Sequence, residues 1–389
     1  MRREVFVWIA LLGFSCSSED DASTPPPSDV PDGGDIGDGP ASSDVANDGD
    51  DASFAGCHTP HGPTADCLAD ASGCARRTLY LSPTSTFPFA MVTDDKNVYW
   101  AAQAGVTNDA YDGTAFASIL RISKTESPEQ AAAVLAKDQE RTTTLVRDGA
   151  DLFWISSQTF DGGATSTFRR LRDVAKAYGC PNCLPPDNIA QFPGIARRLV
   201  RVSPGVFFAV DDSGNVIRLS ISANDVDVTS AAPSLAVSDT RVFAGGGLTQ
   251  RVIRLDPTSG APGIPFVTVP DGGPDAALPG AWVLGADCDR LFGVHGDKGS
   301  FWWSAAANGT FNASSTGFDQ ATDIASDDGF VYVAQKKGGG LSRGARDGSG
   351  FTNLYTGDVW RLAVDDDGVY WGEHAKGSLA GNVFMQPKK

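Results

Sequence analysis

The apolar positions of this chain recur with a long period. Seven segments place an aliphatic residue before an aromatic one: Val98-Tyr99, Leu152-Phe153, Val206-Phe207, Val242-Phe243, Leu291-Phe292, Val331-Tyr332 and Val369-Tyr370. Eight positions before each aromatic stands an apolar residue: Met91, Leu145, Leu199, Leu235, Leu284, Ile324 and Leu362. Five positions before it the residue is usually aspartate: Asp94, Asp148, Asp287, Asp327 and Asp365. The third copy has Val202 there, and the fourth has Ser238 with Asp239 one place later. Trp100, Trp154 and Trp371 follow the aromatic in three copies. The aromatics lie 54, 54, 36, 49, 40 and 38 residues apart. A unit of four short strands takes about 40–45 residues, so the longer intervals hold insertions.

The copies read as strands. In the last one, Leu362 to Val364 forms a strand, Asp365-Asp366-Asp367-Gly368 its turn, and Val369-Tyr370-Trp371 the next strand. Successive side chains of a strand point to opposite faces. Val-Tyr-Trp is therefore apolar on both faces, as in a sheet packed between two others and unlike a one-sided sandwich strand. Third strands follow at Ile119–Ile122, Val216–Leu219, Val252–Leu255, Phe301–Trp303 and Asn382–Met385, with a weaker fourth such as Phe266–Val269. No stretch shows a convincing helical period; the nearest, Glu129 to Lys137, is short. Arg77-Thr78-Leu79-Tyr80-Leu81, before the first copy, matches the outer strand Thr352–Tyr355, while the chain ends just after a third strand. The N-terminal strand is thus expected to complete the last unit and close a ring, removing the exposed edge. The fold expected is all-β: a β-propeller of seven four-stranded blades over residues 77–387.

The Asp-x-x-x-Val-Tyr-Trp copies resemble the degenerate propeller repeats of many bacterial exported lipoproteins, and more distantly the YWTD propellers of receptor ectodomains. The resemblance spans residues 77–387. It implies an extracytoplasmic binding or scaffold module and is unspecific for function.

The N-terminus fits export. Arg2 and Arg3 precede an apolar run from Val5 to Phe14, too short to span a bilayer. Cys16 then stands where bacterial lipoproteins carry the lipid-modified cysteine, giving a signal over 1–16; ordinary cleavage nearby is the alternative, and the arginine pair loosely resembles a twin-arginine signal. Residues 17–56 hold eleven acidic residues and no Lys or Arg. They read as a disordered, extended linker, with no calcium-loop spacing around Asp32-Gly33-Gly34-Asp35. A short cysteine-containing segment, 57–76, leads into the propeller. Of the formal charge of −17, the linker carries −11 and the signal +1, which leaves −7 for the rest. That balance argues against nucleic-acid binding.

Six further cysteines, Cys57, Cys67, Cys74, Cys180, Cys183 and Cys288, are disulfide candidates in an exported chain, with fifteen pairings open. A bridge to Cys288 would pin the N-terminal segment to a propeller face. Gly179-Cys180-Pro181-Asn182-Cys183 suggests a redox pair, but it lies in an insertion of a β repeat rather than at a helix N-terminus. A metal there would need His58 or His61, at spacings that match no standard zinc module. No catalytic, metal or cofactor site is expected. Asp211-Asp212 and Asp327-Asp328 sit in repeat turns and read as structural. Function is expected to be binding, as a monomer, of a protein or glycan at the cell envelope, with the membrane reached only through the lipid. Outer-membrane or cell-surface anchoring is expected, with periplasmic or secreted forms otherwise. The alternative is an exported hydrolase or lyase acting on a polysaccharide or lactone, with carboxylates and His295 or His374 at a channel mouth.

Overall fold

The computed structural model describes residues 58–63 and 75–388, apart from 83–85, 105, 108–109, 112–115, 126–131, 161, 177–184, 223–225, 233, 239–240, 246–250, 269–282, 295–298, 306–308, 310 and 375–380. The signal with Cys16, the linker, Cys57, Cys67, Cys74, Cys180, Cys183 and His295 lie outside the described residues.

Every regular element among the described residues is a strand. Blade 1 is Thr86–Thr93, Asn97–Ala104, Ala117–Ser123 and Ala133–Gln139. Blade 2 is Arg141–Asp148, Asp151–Phe160, Gly163–Leu171 and Asp187–Pro193. Blade 3 is Ala196–Ser203, Val206–Asp211, Asn215–Ser220 and Val226–Ala231. Blade 4 is Ser234–Ser238, Arg241–Gly245, Arg251–Leu255 and Pro262–Thr268. Blade 5 is Val283–Ala286, Arg290–Val294, Ser300–Ala305 and Phe311–Gly317. Blade 6 is Ala321–Ser326, Phe330–Gln335, Gly340–Ala345 and Thr352–Tyr355. Blade 7 is Asp358–Val364, Gly368–His374, Gly381–Pro387 and, from the other end of the chain, Arg77–Leu81. That last strand pairs antiparallel with Gly381–Pro387, Arg77 opposite Met385 and Leu81 opposite Asn382. The ring of seven blades is therefore closed as the sequence suggested, and the segment nearest to helical, from Ala133 on, is the outer strand of blade 1.

Each interface between adjacent blades holds its own apolar cluster. Tyr99 of blade 1 packs with Leu152 and Trp154 of blade 2, and Tyr370 of blade 7 packs with Val98 and Trp100 of blade 1. Val98, Tyr99, Trp100 and Ala101 are all buried, so both faces of the second strand are indeed covered. Burying side chains of this size is worth about 1.5–3 kcal/mol each. Blade 5 has Gly293 where three blades have Trp. The gap is filled by Trp302 of the paired strand, whose ring lies where a Cβ on Gly293 would stand.

Blade 3 departs from the sequence frame. Phe207 packs back against Phe153 of blade 2, whereas the aromatics of the other copies pack forward onto the next blade. Phe208, buried against Val242 of blade 4, takes the forward position. Pairing slips by one residue between Arg201 and Ser203, so the hairpin of this copy holds one extra residue, bulged at Val202. This extra residue is why Val202 occupied the aspartate column.

Candidate functional site

The aspartate column works as a turn cap. Asp94 Oδ1 accepts from the backbone N–H of Lys96 (2.8 Å) and Asn97 (2.6 Å), and Tyr99 Oη donates to Asp94 Oδ2 (2.8 Å). The same arrangement holds Asp327 with Tyr332 (2.7 Å) and Asp365 with Tyr370 (3.2 Å). Asp211 likewise caps its own turn through Ser213 and Asn215. Burial disfavours the Asp94 carboxylate, but the two amides, Tyr99 and Arg147 outweigh it and hold its pKa below the ordinary value. Burial, with the Asp94 charge beside it, pushes the Tyr99 hydroxyl up to about 12.

Each aspartate of the column then takes a cation from the following blade. The residue just after the third strand supplies it in three cases: Lys124 to Asp365 (2.7 Å), Arg346 to Asp287 (2.7 Å) and Lys388 to Asp327 (2.9 Å). In two others the cation comes from a first strand, Arg147 to Asp94 and Arg201 to Asp148 (2.7 Å). In blade 4, Ser238 Oγ donates to the Cys288 carbonyl of blade 5 instead (3.1 Å). These carboxylates are consumed by the ring.

The six residues His58–Pro63 lie across these turns. His58 Nε2 is 3.1 Å from Asp366, and His61 Nδ1 is 3.2 Å from Asp328. The His61 amide donates to Asp366 (2.7 Å), Gly62 N–H to Asp328, Asp328 N–H to the Pro60 carbonyl (2.7 Å), and Lys388 Nζ to the His61 carbonyl (2.7 Å). The Cys288 amide donates to Thr59 Oγ1 (3.4 Å). Cys288 is disulfide-bonded. The histidines of the metal reading thus hold carboxylates of blades 6 and 7. Among the described residues no three His, Cys, Asp or Glu side chains converge as a metal site.

Because the turns cap one end of the channel, the first strands begin at the other, here termed the open face. Polar chemistry not used by the turns lies along those first strands. The residue before the apolar column forms a ring of one side chain per blade: Ala90, Thr144, Arg198, Ser234, Val283, Asp323 and Arg361. In five blades a pairing slip precedes this position, displacing Phe89, Thr143, Arg197, Thr322 and Trp360. Bulges of this kind re-aim side chains at barrel rims and sites. Three ring members stitch the next blade, each accepting a backbone N–H: Thr144 from Leu199 (2.8 Å), Ser234 from Leu284 (3.1 Å) and Asp323 from Leu362 (3.3 Å). Displaced threonines donate to the next blade's carbonyls, Thr143 to Ala196 (2.5 Å) and Thr322 to Val359 (2.9 Å).

The two arginines of the ring face a cavity of about 170 Å³ in the channel. Arg198 Nη1, from blade 3, reaches across to Asp323 Oδ1 of blade 6 (3.3 Å). Arg361 Nη1 donates to the carbonyls of Trp360 (3.0 Å) and Thr322 (3.2 Å). Burial lowers the Arg361 pKa and the Arg198 charge adds to this, while Asp323 opposes both. At the open face, Trp360 packs on Phe89 and lies under Lys336 Nζ, 3.4 Å from its centroid. His374, a catalytic candidate, packs edge-on against Phe87 at 4.1 Å and near Trp360. A larger groove of about 750 Å³ lies on the turn face between blades 7 and 1, lined in part by Arg77, Lys96, Arg121 and Lys124. Lys124 there is already paired with Asp365 and Asp367.

No protein-family model and no curated protein sequence matches the chain. Solved propellers do match it in shape. YCF48 bound to D1 peptide superposes with a TM-score of 0.52 at 12% identity, covering 85% of this chain and 99% of that one. YCF48 from Cyanidioschyzon merolae gives 0.54 at 12%, covering 80% and 99%. A chain of the mitotic checkpoint complex gives 0.54 at 13%, covering 90% and 96%. At these identities the likeness is one of fold.

Proposed function

We propose that this chain is an exported, lipid-anchored binding module whose propeller engages a protein partner at the open face. The observation that carries the reading is the division of labour between the two faces. On the turn face, carboxylates and the His58–Pro63 segment are engaged with one another. On the open face, Trp360, Phe89 and Lys336 stand together beside the channel arginines. Aromatic and arginine side chains are the residues that dominate protein interfaces. A propeller of the same fold, YCF48, has been solved with a bound peptide.

Export rests on the apolar run after Arg2-Arg3, and anchoring on Cys16. In this reading Cys57 is the partner of Cys288, since Thr59, two residues on, already bonds the Cys288 amide. The bridge would hold the tether on the turn face and leave the open face outward. The test is binding of partners from the cell envelope by two paired variants. Trp360→Ser with Lys336→Glu should abolish co-purification, whereas Lys96→Glu with Thr125→Glu should leave it intact. The opposite pattern would place the partner on the turn face and sink the proposal.

A further inference from the structure

We propose that the channel ring of Arg198, Asp323 and Arg361 is a carboxylate seat, occupied by an acidic side chain that a partner peptide inserts from the open face. This rests on the binding-module reading and adds the chemistry that the partner must bring.

The charge within the cavity is the first argument. Its lining holds three cations, Arg197, Arg198 and Arg361, and one anion, Asp323; the other lining residues are uncharged. Arg197 is itself exposed, so the two ring arginines against Asp323 leave one positive charge in excess at the cavity, in a chain whose formal charge is −17. Elsewhere in the ring, cations are matched to turn carboxylates, as at Lys124, Arg346 and Lys388. Two arginines that share one carboxylate are only partly compensated, and an entering anion relieves the cost of the excess charge.

The hydrogen-bonding geometry is the second argument. Asp323 cannot serve both arginines fully. Its Oδ2 accepts from Leu362 N–H, and its Oδ1 accepts from Arg198 and from Ile324 N–H (3.1 Å). Arg361 donates through Nη1 to two backbone carbonyls, which are neutral. A guanidinium is a planar fork matched to a carboxylate, so a carboxylate is the anion this site suits best. About 170 Å³ accommodates several waters or one carboxylate-bearing side chain. The bulges that displace Arg197 and Trp360 frame the mouth through which it would enter.

The test is calorimetric titration of the full chain at low ionic strength with acetyl-Glu-Glu-Glu-amide. Saturable 1:1 binding is expected, absent for acetyl-Gln-Gln-Gln-amide and weaker for free glutarate. Arg361→Gln and Arg198→Gln should each weaken it by about tenfold or more. Asp323→Asn should strengthen it, because the competing carboxylate goes while an acceptor for Leu362 N–H remains. A purely structural ring would not shift affinity in opposite directions. If either arginine variant fails to unfold cooperatively, Asp323→Asn and Arg361→Lys carry the test. No saturable binding to the parent chain or to Asp323→Asn would overturn the proposal. So would unchanged affinity in the arginine variants, or glutarate binding as tightly as the tripeptide. These outcomes are independent of partner capture at the open face, so either proposal can fail without the other.

Discussion

Lys388, at the end of the chain, offers a sharp perturbation. Its Nζ lies 2.9 Å from Asp327 Oδ2, and the two side chains are 2% and 0% exposed. The same ammonium donates to the His61 carbonyl, so one group ties blade 7 to blade 6 and to the N-terminal segment. Lys388→Met keeps the apolar stem and removes the charge, leaving a buried carboxylate without its cation. Breaking such a pair from one side costs about 3–5 kcal/mol. Asp327 retains the amides of Gly329 and Phe330 and the Tyr332 hydroxyl, which places the loss near the lower end, about 3 kcal/mol. In guanidinium chloride that should lower the unfolding midpoint by roughly 0.5–1 M. The double variant with Asp327→Asn should recover much of the loss, because neither charge then stands alone. A Lys388→Met midpoint equal to that of the parent chain would refute the idea that these buried pairs latch the blades.

Three further outcomes are expected. Tyr332→Phe removes one bond to Asp327 and should cost about 1 kcal/mol in the same denaturation; no change would mean that the hydroxyl only fills space. The Asp366 and Asp328 carboxyls are held below their ordinary value of 3.8, Asp366 first by the His61 amide, and Asp328 by His61 and the Gly62 amide against some burial. Their contribution to holding the His58–Pro63 segment is therefore full above about pH 4 and lost as pH falls through the depressed values. Amide exchange at His61 and Gly62 should be protected at pH 6 and unprotected well below pH 3; protection that persists in acid would assign the hold to other contacts. Labelled palmitate should enter the chain in a bacterial host and be lost in Cys16→Ala; label retained in that variant would exclude Cys16 as the lipid site.

The fold was legible because its driving residues repeat. The apolar column from Met91 to Leu362 and the buried aromatics sit at fixed spacing, and Arg77–Leu81 pairs where its pattern suggested. The third copy misled because one residue bulged from its first strand shifts every later side chain to the other face, so Phe207 and Phe208 exchange roles. The latch cations Lys124, Arg346 and Lys388 were findable, since each directly follows a third strand, but cation columns invite a reading as solvated charge. The channel ring was not legible. Its position repeats while its identity runs through Ala, Thr, Arg, Ser, Val, Asp and Arg, and only ring closure brings Arg198 to Asp323 across 125 residues.

The central claim is that partners dock at the open face. Its most direct measurement is site-specific photo-crosslinking in intact cells, with a photoreactive residue in place of Trp360 on the open face or of Thr125 on the turn face. The expected result is a discrete protein adduct from position 360 and none from position 125. An adduct from position 125 alone would contradict the claim.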